Sequence, residues 1–389
     1  MRVLLVASRS PVPAWRGNQA RTVEWLEALA GHDLALVCPG TSEPFQVPAR
    51  VTWMPHSLSP AARSLGLARA AIAGHPLQEG LYDSGAARRV VRRGLGDFRP
   101  EVVIVQMVRC GWAADLVRQF SPHIPLIFDA IDAMGLHFER AARSVGPTLS
   151  FAYRSEALRC RLREREIAEK ATITAAVSER DLAFLSVPGG RACVIPVSGR
   201  EMTAGVSQPG APVVLLSGNL GYRPTIRGAL WFAKEIWPHL RIAVPGARWV
   251  LAGARPSRAV RRLGKLAGVE VHADVPDLEP FLAGARVAIA PMNSGSGVPM
   301  KVLEAMAAGV ATVVHPWAAN GLVDEAREAV VQADDADQWV ERIKQLLSDP
   351  SAAQEIGHRG RSLWDRFYHP ARVAEQIRNA VEEAVGAAN

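Results

Sequence analysis

Apolar runs of four to six residues alternate along this chain with longer stretches of helical period, and that alternation limits the folds open to it more than any other feature. Short apolar runs spaced by amphipathic helices are what a buried parallel sheet requires, because each strand must return through a crossover helix. Strands are predicted at 3–8, 33–38, 51–54, 102–106, 124–129, 171–176 and 192–196, with helices at 18–30, 61–73, 84–96 and 150–170. The pattern lapses in "VSGREMTAGVSQPGAP" (197–212), a stretch of small residues, Gly and Pro that reads as a linker. It resumes at "VVLLSG" (213–218) and continues through 248–252, 269–273, 286–291 and 311–314. With 389 residues, two α/β domains are expected: 1–204 and 205–370, followed by a terminal segment, 371–389. Ligands of open parallel sheets bind beyond the carboxyl ends of the strands, so loops from two facing halves are expected to line a central cleft.

Composition narrows the function classes. Apolar residues make up 49% and charged residues 21%, the balance of a soluble globular chain, and the net charge of +7 favours anionic partners. Cys38, Cys110, Cys160 and Cys193 show no paired spacing, so neither a zinc knuckle nor a disulfide framework is indicated, and a reducing cytoplasm fits. "MRVLLVASRSP" is too short an apolar opening for a signal peptide, and no run approaches the roughly 18 residues of a membrane span. The arginine clusters "AARRVVRRGLG" (86–96) and "RCRLRERE" (159–166) lack the interleaved aromatics that stack bases, so nucleic acid is set aside; a peripheral contact with an acidic membrane face is retained. HExxH, GxSxG and GxxxxGK[ST] do not occur. "DAD" (335–337) looks like a metal-binding carboxylate pair but stands at a predicted helix start, where an N-cap is the simpler reading. No metal site is expected.

The stretch "GSGVPMKVLEAMAAG" (295–309) carries the chemistry. A glycine-rich loop runs from a strand into a helix that Pro299 can open and Gly309 can close. Its free backbone N–H groups and helix dipole suit an anion. At 100° per residue Val302, Leu303, Met306 and Ala307 share the core face, while Lys301, Glu304 and Ala308 share the other. Lys301 can neutralise a phosphate and Glu304 can accept two hydrogen bonds from a vicinal diol such as a ribose. The same spacing also suits a surface ion pair worth about 0.2–0.5 kcal/mol.

"KVLEAMAAGVATVVHP" resembles the donor-site signature of the GT-B glycosyltransferases of family 4. The likeness extends to "PAWRGNQARTVEWLEAL" (13–29), "FDAIDAM" (128–134), "ITAAVSERD" (173–181) and "LLSGNLGYRPTIRGALWFAKEIWPHL" (215–240), and is strongest towards bacterial sugar transferases associated with exopolysaccharide. It implies two Rossmann-like domains facing a cleft, an N-terminal one for the acceptor and a C-terminal one for the nucleotide sugar, with 371–386 crossing back to the first. The implied activity is a retaining, metal-independent, hexosyltransferase-type transfer in polysaccharide or glycoconjugate biosynthesis. A nucleotide diphosphate sugar such as a UDP-sugar would donate to a saccharide, lipid-linked or small-molecule acceptor, with no cofactor.

Position by position, the resemblance gives Glu304 the ribose hydroxyls, and Gly295, Ser296, Gly297 and Val298 the donor sugar and phosphates through backbone amides. Gly218 and Asn219 end the first strand of the nucleotide domain. The family's usual second Glu is Ser296 here, and its usual phosphate Arg is Asn219, which leaves Lys301 and Arg223 as the cations for the leaving group. Arg109 stands in "QMVRCGW" where many relatives keep a His; it either replaces that His or is a surface arginine. Arg16, Gly17, Asn18 and Arg21 form the first glycine-bearing loop and the helix start after it. Asp129 and Asp132 either orient an acceptor hydroxyl or cap the following helix, and His137 either lines the cleft or is an ordinary helix histidine. A nucleotide-sugar 2-epimerase and a non-catalytic binding relative remain alternatives on the same scaffold.

Overall fold

The computed structural model describes residues 1–12, 17–40, 51–143, 145–185, 191–202, 212–294 and 298–387. The chain divides into two compact units, Met1–Pro196 with Val373–Asn389, and Val197–Arg372. The first division falls at the start of the stretch read as a linker rather than at 204/205; residues 203–211 lie outside the described set.

The first unit holds a seven-stranded sheet of β1 (Arg2–Val6), β2 (Asp33–Pro39), β3 (Val51–His56), β4 (Val102–Gln106), β5 (Leu126–Ile131), β6 (Ile173–Ala176) and β7 (Arg191–Val194). Every pairing is parallel, in the order β3-β2-β1-β4-β5-β6-β7. Both faces are covered by helices, which is why β4, β5 and β6 are buried at every position and are apolar except at Gln106, Asp129 and Thr174. β5 starts two residues after its apolar run because Pro125 has no N–H to give the ladder. The helix Pro370–Gly386 contributes Val373, Ile377, Ala380, Val381 and Ala384 to this unit's core, against Trp25 and Leu29 among others.

The second unit holds β8 (Val213–Asn219), β9 (Arg248–Ala254), β10 (Val269–Ala273), β11 (Val287–Ala290), β12 (Ala311–Val314) and β13 (Val331–Gln332), all parallel in the order β10-β9-β8-β11-β12-β13. β13 was not foreseen: two residues are too few to show a period. Aromatic packing anchors the core, with Phe232 and Trp249 ring centroids 4.7 Å apart and Trp339 edge-on to Phe232. The order of strands reverses between β1 and β4 in one sheet and between β8 and β11 in the other, and the loops leaving those pairs flank the crevice where such sheets take ligands. Among the described residues no helix is long and apolar enough to cross a membrane.

Candidate active site

At the switch of the second sheet, the chain leaves β11 through Pro291 and Met292 and enters the helix Met300–Ala307. Val302, Leu303, Met306 and Ala307 are buried, as the helical spacing predicts; Ala308 is buried too, so the polar face narrows to Lys301 and Glu304. Gly309, at φ 68°, closes the helix: its N–H bonds the Met306 carbonyl and that of Val310 bonds Ala305.

Lys301 and Glu304 are both half-buried, and they are not the surface ion pair that their spacing also allowed. The Lys301 ammonium donates to Thr225 Oγ1 (3.3 Å) and lies 3.4 Å from Met292 Sδ. Burial pushes it down to about 8, against the pull of Glu304. Burial likewise raises the Glu304 carboxyl, opposed by Lys301 and Arg200, and Glu304 Oε2 is buried without a hydrogen-bond partner. A buried acceptor left unpaired costs about 1–3 kcal/mol, a cost that a ligand donor would remove.

The exit of β8 supplies the facing wall. Gly218, at φ 100°, brings backbone past Lys301: a Cβ there would sit 3.8 Å from both Lys301 Cε and Nζ. The Asn219 carboxamide oxygen accepts from the Gly221 N–H (3.0 Å), so its acceptor shapes the turn and its role differs from that of the arginine usual there. Arg223 is the first residue of the helix Arg223–Trp231 and is exposed beside the free N–H groups of that helix start. Val298 is half-buried just before the Lys301 helix, while Gly295, Ser296 and Gly297 lie outside the described residues.

Two features here escaped the sequence reading. Thr225, in the first turn of its helix, is buried and holds Lys301; its signal was a lone hydroxyl in an apolar segment, too common to single out. Arg200 acts electrostatically on Glu304 and lies 3.9 Å from Asp277. Its segment is pinned by the Gly199 N–H on the Tyr368 carbonyl and by Arg361, which bonds both Met202 O and Ala307 O. One helical turn beyond Arg223, Arg227 lines a concavity of about 400 Å³ with Gly228, Trp231, Pro291, Asn293, His315 and Asp334, over the exits of β11, β12 and β13. At Gly228 the helix packs closely on the exit of β11, since a Cβ there would meet Pro291 O at 2.6 Å. Asp335 accepts from the Gln338 N–H (2.9 Å) and caps its helix, so "DAD" is a cap.

In the first unit the expected set divides. Arg21 and Asp129 are fully buried and paired at 3.2 Å. Arg21 also donates to the carbonyls of Ile195 and Pro196 and to Glu24, and Asp129 accepts from Gln106, which in turn accepts from Thr22. These two residues, expected at the acceptor, are instead an internal tie between the first helix, β5 and the segment after β7. Gly17 is exposed at the helix start with open space where a Cβ would stand, Asn18 accepts from Thr22 Oγ1, and Arg16 is outside the described residues.

Arg109 lies within electrostatic reach of both Asp132 and His137. Arg109 donates to Gln78 Oε1 (2.8 Å); burial lowers its pKa, and Asp132 and Arg9 are among the charges acting on it. His137, half-buried in the helix Met134–Ala142, is held below the usual histidine range by burial and by Arg109 and Arg140. Met107 and Ile131, at the exits of β4 and β5, have φ near +60°, a costly conformation for non-glycine residues that clusters at functional sites. Asp132 does not cap the Met134–Ala142 helix through the N–H groups of Ala133, Met134 and Gly135; these go to Asp181 and to Glu164, whose carboxyl burial pushes to about 8.

Residues 211–349 match the family model described as glycosyl transferases group 1. The chain therefore carries a glycosyltransferase domain, and Lys301, Glu304, Gly218 and Arg223 lie within it. No curated protein sequence matches the chain. Solved structures resemble it over its whole length. Sucrose-phosphate synthase from Thermosynechococcus elongatus is 17% identical with a TM-score of 0.73, all of both chains being covered. The α,α-trehalose 6-phosphate synthase of Burkholderia multivorans is 12% identical at a TM-score of 0.66, again over all of both chains. The Anabaena protein HepE, solved in complex with UDP and glucose, is 12% identical at a TM-score of 0.63, over 98% of this chain and 99% of that one. With its two parallel-sheet units, the fold is that of the GT-B glycosyltransferases.

The lowered Lys301 pKa has a measurable consequence. A bound diphosphate favours the ammonium, so where free Lys301 is neutral, binding must take up a proton. Nucleotide affinity is expected to hold constant well below pH 8 and to fall about tenfold per unit above it. Calorimetry in two buffers of different ionisation enthalpy should show proton uptake at about pH 9 and none at about pH 6; equal heats at both pH values would remove Lys301 from the phosphate site.

Proposed function

We propose that the chain is a retaining glycosyltransferase that transfers a sugar from a nucleoside diphosphate sugar to a hydroxyl acceptor, in polysaccharide or glycoconjugate synthesis. The observation that carries this reading is the buried, unpartnered Glu304 Oε2, three residues from a half-buried lysine facing Gly218 at the topological switch point. A ribose diol can supply the donor that this buried oxygen lacks. The diphosphate next to it meets Lys301, Arg223 and the helix start at Arg223, which disperse the charge that develops on the leaving group. HepE, solved with UDP and glucose, supports a uridine nucleotide as first choice of donor. Acceptor binding is assigned to the first unit, with Arg109, Asp132 and His137 as its polar groups. Retention follows from attack on the face that the diphosphate leaves, the departing phosphate taking the acceptor's proton.

Glu304→Gln tests the site. Loss of charge-assisted hydrogen bonds to the ribose should cost about 1.5–3 kcal/mol, roughly 10- to 150-fold in nucleotide affinity, with the melting temperature preserved. Unchanged calorimetric affinity for every nucleotide that binds would refute the ribose assignment. Incubation with UDP-sugars alone and with acceptors separates transfer from epimerisation, since conversion of donor without acceptor belongs to an epimerase. Cationic side chains carry the leaving-group charge in this account, so transfer should persist in excess EDTA. Activity lost to the chelator and restored by Mg²⁺ would contradict it.

A further inference from the structure

A hollow in the second unit takes no part in the site built around Lys301 and Glu304. This concavity of about 400 Å³ lies over the exits of β11, β12 and β13, adjacent strands that supply Asn293, His315 and Asp334, while the helix Arg223–Trp231 supplies Arg227 and Trp231. Its volume is that of a small-molecule site, which spans roughly 300–1,000 Å³. The helix Arg223–Trp231 stands between the hollow and Lys301. Thr225, which holds Lys301, precedes Arg227 by two residues and Trp231 by six, and at about 100° per residue both fall on the flank away from Thr225. Met292 completes the partition: its Sδ lies 3.4 Å from Lys301 Nζ, whereas Pro291 just before it packs on Gly228 beside the hollow.

The polar groups of the hollow are held in place and only partly used. His315 Nδ1 accepts from the Trp317 N–H (3.0 Å), which leaves the ring proton on Nε2, 3.1 Å from Asp334 Oδ1. Burial lowers the His315 pKa against the pull of Asp334, so the imidazole is neutral at pH 7. Asp334 Oδ2, the Arg227 guanidinium and the Asn293 carboxamide have no hydrogen bond or ion pair among the described residues. Arg227 and Asp334 balance in charge, so the hollow favours neither an anion nor a cation. Donors and acceptors converge instead beside an apolar wall of Pro291 and the half-buried Trp231 indole, which is steadied by buried Trp339 at 6.0 Å between ring centroids. A neutral ligand whose hydroxyls both donate and accept, and whose ring offers a flat C–H face to the indole, matches this set. A pyranose has both properties.

We propose that this hollow binds a neutral pyranose, as a saccharide site separate from the one at Lys301 and Glu304. It rests on the residues of the hollow and not on the ribose assignment of Glu304, so either can fail alone. The full-length protein, labelled with fluorotryptophan, is titrated with the methyl α-pyranosides of glucose, galactose and mannose up to roughly 100 mM, with and without UDP, while the fluorine resonances are followed. Trp231→Phe identifies the Trp231 signal. The expected result is a saturable shift of that signal by at least one glycoside, the same with UDP present. Sorbitol, rich in hydroxyls but acyclic, should leave it in place. Arg227→Ala with Asp334→Ala, both at exposed positions, should weaken the response at least about tenfold while the melting temperature stays that of the wild type. Should that double variant lose its fold, Asn293→Ala, also at an exposed position, should weaken the response severalfold. The proposal fails if no glycoside moves the Trp231 signal, or if UDP competes with the sugar. It also fails if sorbitol or uridine produces the same shift, or if well-folded variants respond as the wild type does.

Discussion

Asp129→Ala is expected to destabilise the first unit by about 3–5 kcal/mol, although the residue lies at the carboxyl end of a strand where an acceptor ligand was anticipated. The substitution leaves the Arg21 guanidinium, wholly buried, with no counter-charge except Glu24, and it deprives the Gln106 amide of its acceptor. Arg21 cannot shed its charge by deprotonation, because a guanidinium stays protonated inside proteins; in the intact protein burial works against the charged form, but Asp129 and Glu24 outweigh it and raise its pKa. Its remaining bonds, to the carbonyls of Ile195 and Pro196, tie the first helix to the segment after β7, so the damage should spread through the sheet's carboxyl edge. Urea unfolding followed at two wavelengths measures the loss. A variant with wild-type stability and abolished transfer would return Asp129 to the acceptor site.

Lys301→Ala should lower kcat for transfer by roughly 100- to 1000-fold, about 2.7–4 kcal/mol, with a smaller effect on nucleotide binding. The ammonium is held by Thr225 Oγ1 before any ligand arrives, so its orientation is fixed in advance, and its partial burial strengthens its action on a charge that grows in the transition state. The conservative change Lys301→Arg is not expected to rescue activity, because the space between Gly218 and Thr225 is matched to a compact ammonium. Steady-state kinetics with the donor that binds most tightly measures both variants. If kcat is retained and KM alone rises, Lys301 contributes uniform binding and the leaving-group role passes to Arg223.

Glu304 and Arg21 show how differently two charged residues could be read from sequence. Glu304 was legible because its neighbours repeat at helical spacing and a glycine-bearing loop precedes it, so both its face and its place at a strand exit followed from local pattern. Arg21 shares a helix face with Asn18 and Trp25, and nothing within its own helix announces that its partners are 108 and 175 residues away. Burial of an ion pair depends on which strands become neighbours, and β1, β4 and β5 come together only through crossovers. The same limit explains Arg200, whose proximity to Glu304 depends on the pinning of its segment by Tyr368 and Arg361.

The sequence by itself determined the parallel α/β character of both units, nearly all of their strands, the helix that carries Lys301 and Glu304, and the cap at Asp335. These are consequences of period, capping and turn chemistry, which act over a few residues. Only the tertiary structure decided that Arg21 and Asp129 are internal, that Thr225 holds Lys301, and that Glu304 keeps a buried oxygen unpaired. In each case the deciding quantity is desolvation, and how much water a side chain loses is set by segments far away in sequence that fold against it.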